Sequence, residues 1–232
     1  MSSITPIGIV RTPFKEKFGI PKQPHLANEV QATIEIATAI CAPESFEQLE
    51  GFNFIWLLGC FHLAESKSTK VRPPKLGGNE KVGVFATRSP FRPNPLSLSL
   101  VKLISIHHDE ASKKMILTIS GIDLVNETPV FDIKPYIPSH DTPWEPVKTG
   151  WVEDSSDKTY EVIWSDEAKS KVKELEVTTD QQKMINSILK IDPRPAYHNS
   201  HKSYFIVLDQ FDIEFTVQNH QVIILNIKNS TR

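Results

Sequence analysis

"ATRSPFRPNPLSLSLVKLISIH" spans residues 86–107 and falls into two halves of different physical character. The first holds Arg88 and Arg92, three prolines (Pro90, Pro93, Pro95) and Asn94. Each proline fixes its own φ and pushes the residue before it into extended backbone, so this half is stiff before it meets any partner. The second half alternates, with Leu96, Leu98 and Leu100 on one face and Ser97 and Ser99 on the other. That period of two belongs to a β-strand. The unit is a rigid cationic elbow feeding a strand.

Working outward, the neighbours are also strand-like. "SITPIGIVRT" (3–12) carries Ile7 and Ile9 on one face, and "QATIEIAT" (31–38) alternates through Ile34 and Ile36. "FNFIWLLGCFH" (52–62) is a continuous apolar run, read as a strand buried on both faces. "KVGVFAT" (81–87), "KKMILTISG" (113–121) and "PVFDIKPYI" (129–137) complete a set of seven, with one short helix near 43–49. Short strands separated by Pro- and Gly-rich turns predict an antiparallel barrel or sandwich. Seventeen prolines against nine glycines favour the same loop-rich β architecture.

Beyond Tyr136 the pattern changes. "PSHDTPWEPVKTGW" (138–151) reads as a proline-rich linker. Ser165 is a predicted N-cap for a helix carrying Ala168, Val172 and Leu175. A second helix places Met184, Ile185, Ile188 and Leu189 on one face and stops at Pro193. Two strands follow, 203–217 and 221–227, joined near Asn219. The expected organisation is a β domain over 1–140, then a linker and small α+β domain over 141–232.

Composition narrows the function classes. The opening "MSSITPIGIVRT" is too short and broken for a signal peptide. The longest apolar stretch, "FIWLLGCFHL", is too short to span a bilayer. With Cys41 and Cys60 in apolar surroundings and no CxxC, the expectation is a cytoplasmic protein with two reduced core thiols and no membrane contact. Dinucleotide-binding GxGxxG, Walker A, HExxH and GxSxG sequences are all missing, and the eight histidines are scattered, so no metal site is expected. The net charge is −2, yet residues 67–102 hold eight cations against Glu80 alone. A basic field of that kind suits an anionic partner at one face, although charge alone does not separate that from a solvated loop.

The elbow concentrates the recognition chemistry. Arg88 and Arg92 are planar donor forks, and Asn94 carries both a donor and an acceptor able to read a base edge. "VRPPKLGG" (71–78) adds cations just upstream. In "GIDLVNETPVFDIKPYIP" (121–138), Gly121 permits an unusual backbone angle or a close approach. Asp123 and Asp132 are carboxylates among apolar neighbours, for which Arg88 or Arg92 are candidate partners. "KFGIPKQPHL" (17–26) and "DPRPAYH" (192–198) are proline-shaped loops, the second holding Arg194 between two prolines.

Taken in order and spacing, "FGIPKQP", "VRPPKLGGN", "VGVFATRSPFRPNPLSLSLV", "GIDLVNETPVFDIKPYIP" and "DPRPAYH" resemble the TrmO family, and the resemblance covers nearly the whole chain. It implies a mainly β protein: an antiparallel β-barrel catalytic domain with a small α+β C-terminal domain. It also implies a homodimer that uses S-adenosylmethionine to methylate N6 of threonylcarbamoyladenosine at position 37, in the anticodon arm of tRNA, chiefly threonine tRNA. Carried over by position, the cofactor contacts are Pro21, Lys22, Gln23, His62, Leu63, Arg88, Leu98, Ile122, Asp123, Leu124 and Val125. Lys22 stands where the family commonly has arginine, and Ser97-Leu98-Ser99 replaces a Gly-Met-Ser-like triplet.

The accepting nitrogen belongs to a urea-like group and is a poor nucleophile, so a proton acceptor is expected. Asp123, Asp132, His62 and Tyr136 are the four candidates. Arg92 and Asn94 are assigned to the modified base, and Lys70, Arg72, Lys75 and Arg194 to phosphates. Two rival readings differ in class: a barrel that binds S-adenosylmethionine as a sensor without transfer, and an RNA-binding module with no small-molecule partner.

Overall fold

The protein is described by a computed structural model covering residues 4–73, 76, 80–152, 159–194 and 202–231. Six antiparallel strands close a barrel in the order β1-β2-β7-β6-β3-β8. They are β1 (Gly8–Arg11), β2 (Gln31–Ala37), β3 (Phe54–Cys60), β6 (Leu96–Asp109), β7 (Lys114–Ser120) and β8 (Pro129–Pro135). The other two strands of this half, β4 (Lys70–Val71) and β5 (Val82–Gly83), form a separate two-stranded hairpin. The stretch read as a strand over 81–87 therefore does not join the barrel. It gives two residues to the hairpin and then tightens into a 3-10 turn, Val84–Ala86.

Alternation fills the barrel. Ile34 and Ile36 on β2, Ile55 and Leu57 on β3, Val101 and Leu103 on β6, Leu117 and Ile119 on β7 and Val130 on β8 are buried together. β3 is buried on one face only. Phe54, Trp56 and Leu58 point outward and are partly exposed, correcting the expectation of a strand enclosed on both sides. β6 holds a second surprise. Its inward register is set by Val101 and Leu103, so two and four residues earlier it is Ser99 and Ser97 that face inward, while Leu96 and Leu98 lie outside. The helix expected near 43–49 is two 3-10 turns, Pro43–Phe46 and Leu49–Gly51. Cys41 and Cys60 are free thiols, half-buried rather than enclosed in the core.

After β8 a short helix α1 (Pro138–Asp141) opens an exposed connection. The C-terminal part is a four-stranded sheet in the order β10-β11-β12-β9, from β9 (Glu161–Trp164), β10 (Tyr204–Leu208), β11 (Phe211–Gln218) and β12 (Gln221–Asn229), with β9 parallel to β12. Helices α2 (Asp166–Glu174) and α3 (Thr179–Leu189) pack with it. Ser165 caps α2 by accepting from the Ala168 N–H at 3.1 Å, and Thr178 with Gln181 makes a capping box on α3. The run 203–217 is two strands, because the chain turns at Asp209 (φ 54°). Asn219 and His220, both at positive φ, make the β11–β12 turn.

The sheet docks on the barrel through the loop after β1. Phe14, 1% exposed, bridges to Leu208, and the Asp209 N–H donates to the Pro13 carbonyl at 2.8 Å. Gly19 sits at φ +89°, and a Cβ there would fall 2.0 Å from Ile206 Cδ1. A side chain at this position meets both backbone strain and overpacking. Gly19→Ala is expected to lower the melting temperature by about 5–10 °C. Gly51→Ala, where a Cβ meets nothing within 4 Å, should leave it almost unchanged. Paired thermal melts check both.

Candidate active site

β7 ends at Ser120, but its neighbour β6 extends further. Lys102 pairs with Ser120, while Leu96 to Val101 pair with β3 alone. The chain leaves the barrel wall at Gly121 (φ +69°), whose Cβ position would lie 3.0 Å from the Pro24 carbonyl oxygen. The departing segment then runs extended, and its alternation divides its side chains. Ile122 and Leu124 are fully buried in the core, whereas Asp123 and Val125 turn to the gap beside β6. Thr12 pins this segment: its hydroxyl donates to the Leu124 carbonyl at 3.2 Å, and its N–H donates to Asn126 Oδ1 at 3.1 Å.

The gap is the floor of a cavity of about 840 Å³. Its walls come from three stretches distant in sequence, the third running from the elbow into β6. Ile20, Pro21, Lys22 and Gln23 follow β1; Trp56, Phe61 and Leu63 come from β3 and the turn after it; the elbow runs from Phe85 to Asn94; and Leu96 to Ser99 begin β6. The Arg88 guanidinium donates to Gln23 Oε1 and so ties the elbow to the loop after β1. Arg92 donates to the Thr87 and Ser89 carbonyls at 3.1 and 3.4 Å, bracing the elbow from within. Neither arginine is hydrogen-bonded to Asp123 or Asp132, the partners expected from the sequence. The expected carboxylate partners are instead a hydroxyl and a lysine: Ser99 Oγ donates to Asp123 Oδ1 at 2.5 Å, and Lys134 pairs with Asp132 at 2.7 Å.

Burial pushes the Asp123 carboxyl up to about 6; the Ser99 hydrogen bond and the Arg88 charge oppose that rise without cancelling it. Ser97 Oγ, two residues along the same face, is buried with no hydrogen-bond partner among the described residues. A polar atom left so is costly unless a bound molecule satisfies it.

Of the four proton-acceptor candidates, only Asp123 lines this cavity. Asp132 borders a different hollow, of about 360 Å³, with Ile7, Phe46 and Phe52. His62 is exposed on the turn between Phe61 and Leu63, outside the wall. The Tyr136 ring packs at 6.1 Å from that of Trp56, and its hydroxyl lies 3.5 Å from Thr142 Oγ1. Among the positions assigned to cofactor, Pro21, Lys22, Gln23, Leu63, Arg88, Leu98, Asp123 and Val125 meet in the cavity, while Ile122 and Leu124 support it from the core. Of the assigned RNA contacts, Arg92 and Asn94 lie on the rim, and Lys70 and Arg72 are exposed at the β4–β5 hairpin. Lys75 lies outside the described residues. Arg194 is elsewhere, its guanidinium held by both carboxylate oxygens of Asp192 at 2.8 Å and its side chain only 11% exposed. A cation so occupied is poorly placed to meet a phosphate.

Sequence reasoning missed Ser97, Ser99, Trp56 and Phe85. The serine face of β6 was visible as a pattern; that it faces inward was not. Among the described residues no group of three His, Cys, Asp or Glu side chains comes together as a metal site would require.

Two family models match the chain. The tRNA-methyltransferase O N-terminal domain matches residues 9–142, and the TrmO C-terminal domain matches residues 157–230. The chain belongs to the TrmO family. A relative from Escherichia coli (strain K12), named tRNA (adenine(37)-N6)-methyltransferase, is 35% identical over 219 residues, covering 91% of each chain. A Pseudomonas aeruginosa relative, named as a putative S-adenosylmethionine-dependent methyltransferase, is 41% identical over 199 residues, covering 84% of this chain and 83% of its own. The crystal structure of TrmO from Pseudomonas aeruginosa superposes with a TM-score of 0.78 at 31% identity, covering 99% of both chains. The TrmO barrel and its C-terminal α+β part are thus shared along the whole length.

The raised Asp123 pKa has a stability consequence. The folded state holds this proton up to about pH 6, whereas the unfolded chain releases it near 3.8. Between those values the native state binds more protons, so stability falls as pH rises, and the whole penalty, roughly 2–3 kcal/mol, is present above pH 6. Asp123→Asn removes the charge but keeps the acceptor for Ser99. It is expected to be more stable than the parent at pH 8 by about that amount and nearly equal at pH 4, as checked by urea unfolding at both values.

Proposed function

We propose that this chain transfers a methyl group from S-adenosylmethionine to N6 of threonylcarbamoyladenosine at position 37 of tRNA, chiefly threonine tRNA, with Asp123 as proton acceptor. The observation that carries the reading is Asp123 itself: a carboxylate of raised basicity on the wall of a cavity of about 840 Å³, in a chain with both TrmO domains. In this reading residues 1–140 hold the chemistry, and residues 141–232 form the linker and α+β part. The protein acts as a homodimer in the cytoplasm, where the exposed apolar side chains of Phe54 and Leu96 would be covered by a second copy.

The residues fit the cofactor. The cavity has the volume of a small-molecule site, its walls are largely apolar, and Ser97 Oγ offers a buried polar atom in need of a partner. Pro21, Lys22, Gln23, Leu63, Arg88, Leu98 and Val125 would hold it, with Ile122 and Leu124 packing behind. When bound, S-adenosylmethionine supplies a methyl carbon on a positively charged sulfonium.

Asp123 accepts the proton of N6 as that nitrogen takes up the methyl carbon, which makes a urea-like nitrogen competent to attack. A base near pKa 6 is mostly ionised at neutral pH yet stronger than an ordinary aspartate. Ser99 fixes which carboxylate oxygen remains free, because its hydroxyl occupies the other. The Arg88–Gln23 tie holds two walls in place and so fixes the geometry of the site. Asn94, with Arg92 behind it, faces the modified base at the rim, and Lys70 and Arg72 meet phosphates.

Incubation with S-adenosylmethionine and two tRNA pools, with and without threonylcarbamoyladenosine, tests the reading by nucleoside mass spectrometry. A one-methyl mass gain is expected in the modified pool only. Cofactor binding without any gain would favour a sensor. The rate should rise with pH through about 6. Asp123→Asn should lower kcat on the order of 100-fold or more and lose that acid limb.

A further inference from the structure

Phe85 lies at the start of the elbow, on the 3-10 turn Val84–Ala86, with 77% of its surface exposed. One exposed aromatic ring is ordinary on a protein surface. This ring, however, borders the same cavity as Asp123, and its position is fixed. The Thr87 N–H and hydroxyl both donate to the Val84 carbonyl, at 3.1 and 2.8 Å, and the Trp151 indole donates to the Ala86 carbonyl at 3.0 Å. The Arg92 guanidinium, braced by two backbone carbonyls, lies 5.9 Å from the ring centroid.

The backbone that carries the ring and the guanidinium beside it are therefore held before any partner arrives, which lowers the entropy a flat partner costs. A nucleobase can stack on the ring while the guanidinium contributes electrostatically. Lys17, Lys22 and Arg88 on the same rim favour a polyanion over an uncharged partner. In the reading above Asn94 faces the target base, so a base stacked on Phe85 is a neighbour of the target, and it must be unpaired to offer its face.

We propose that Phe85, backed by Arg92, is a stacking platform for an unpaired tRNA base adjacent to the methylated adenosine, and so determines tRNA affinity. The platform rests on the tRNA reading above. Its test compares the parent protein with Phe85→Leu and Phe85→Trp on a synthetic anticodon stem-loop carrying threonylcarbamoyladenosine. Fluorescence anisotropy gives the stem-loop Kd, calorimetry the S-adenosylmethionine Kd, and steady-state assays KM.

Phe85→Leu should weaken stem-loop binding on the order of 10- to 100-fold, the loss of one stacked base. Phe85→Trp should restore it. The slope of log Kd against log salt should not change, because no charge is removed. The KM for the stem-loop should rise in step with its Kd, while the cofactor Kd stays close to the parent's.

Unchanged stem-loop affinity in Phe85→Leu overturns the platform. An equal loss of cofactor affinity overturns it in favour of a cofactor wall. A drop from dimer to monomer mass by light scattering overturns it in favour of a contact between copies. A parent protein that neither binds nor methylates the stem-loop removes the functional reading itself, an outcome distinct from the other three.

Discussion

The site depends on two neighbouring strands parting company. β6 and β7 share a ladder up to Lys102 and Ser120, and there β7 turns away at Gly121. From Leu96 to Val101 the barrel wall has a strand on one side only. Had β7 continued, its backbone would have sealed this edge, and Ser97 and Ser99 would have packed into an ordinary core. The turn sends Asp123 into the gap, and the gap becomes the cavity floor. A glycine is required there twice over: by its positive φ and by the Pro24 carbonyl 3.0 Å from where a Cβ would stand.

The polar inner face at this end of the barrel is the consequence. A lone buried serine and a carboxylate with raised pKa both destabilise the folded chain, and a well-packed apolar wall would be more stable. Both lie on one face of one cavity, the pattern expected where stability is given up for binding and proton transfer. The remainder of the fold offsets this by alternation of a simple kind: apolar residues, most of them branched aliphatic, on the inward positions deeper in the barrel.

The elbow is stiff for a geometric reason. It must hold Arg88 against Gln23, Arg92 against its own carbonyls, and Asn94 at the rim while carrying few backbone ladder bonds. Prolines supply that rigidity through the unbound chain, which has fewer states to lose. The C-terminal part is linked to the same region at two points: Ile206 packs onto Gly19 in the loop that leads to Pro21, and Trp151 of the connection hydrogen-bonds Ala86. The docking of the α+β part and the shape of the cavity are therefore mechanically continuous.

Alternation within each segment made the barrel strands legible, and the two capped helices and the β11–β12 turn were legible because each rests on contacts within a few residues: Ser165 with Ala168, Thr178 with Gln181, Asn219 beside His220. It misjudged 81–87, whose β-prone residues found no long partner strand, and 203–217, where Asp209 adopts a positive φ that apolar alternation does not signal. It also passed over β9, an exposed glutamate and three half-buried residues that exist as a strand only because β12 lies beside them. By itself the sequence determined six barrel strands and two capped helices, the stiffness of the elbow and the motifs of a TrmO chain. Only the tertiary structure decided which face of β6 turns inward, that Asp123 alone of the four candidate bases reaches the cavity, and that Arg194 is spent on Asp192. Those outcomes depend on register and on pairings between residues far apart in the chain, and no local pattern encodes either one.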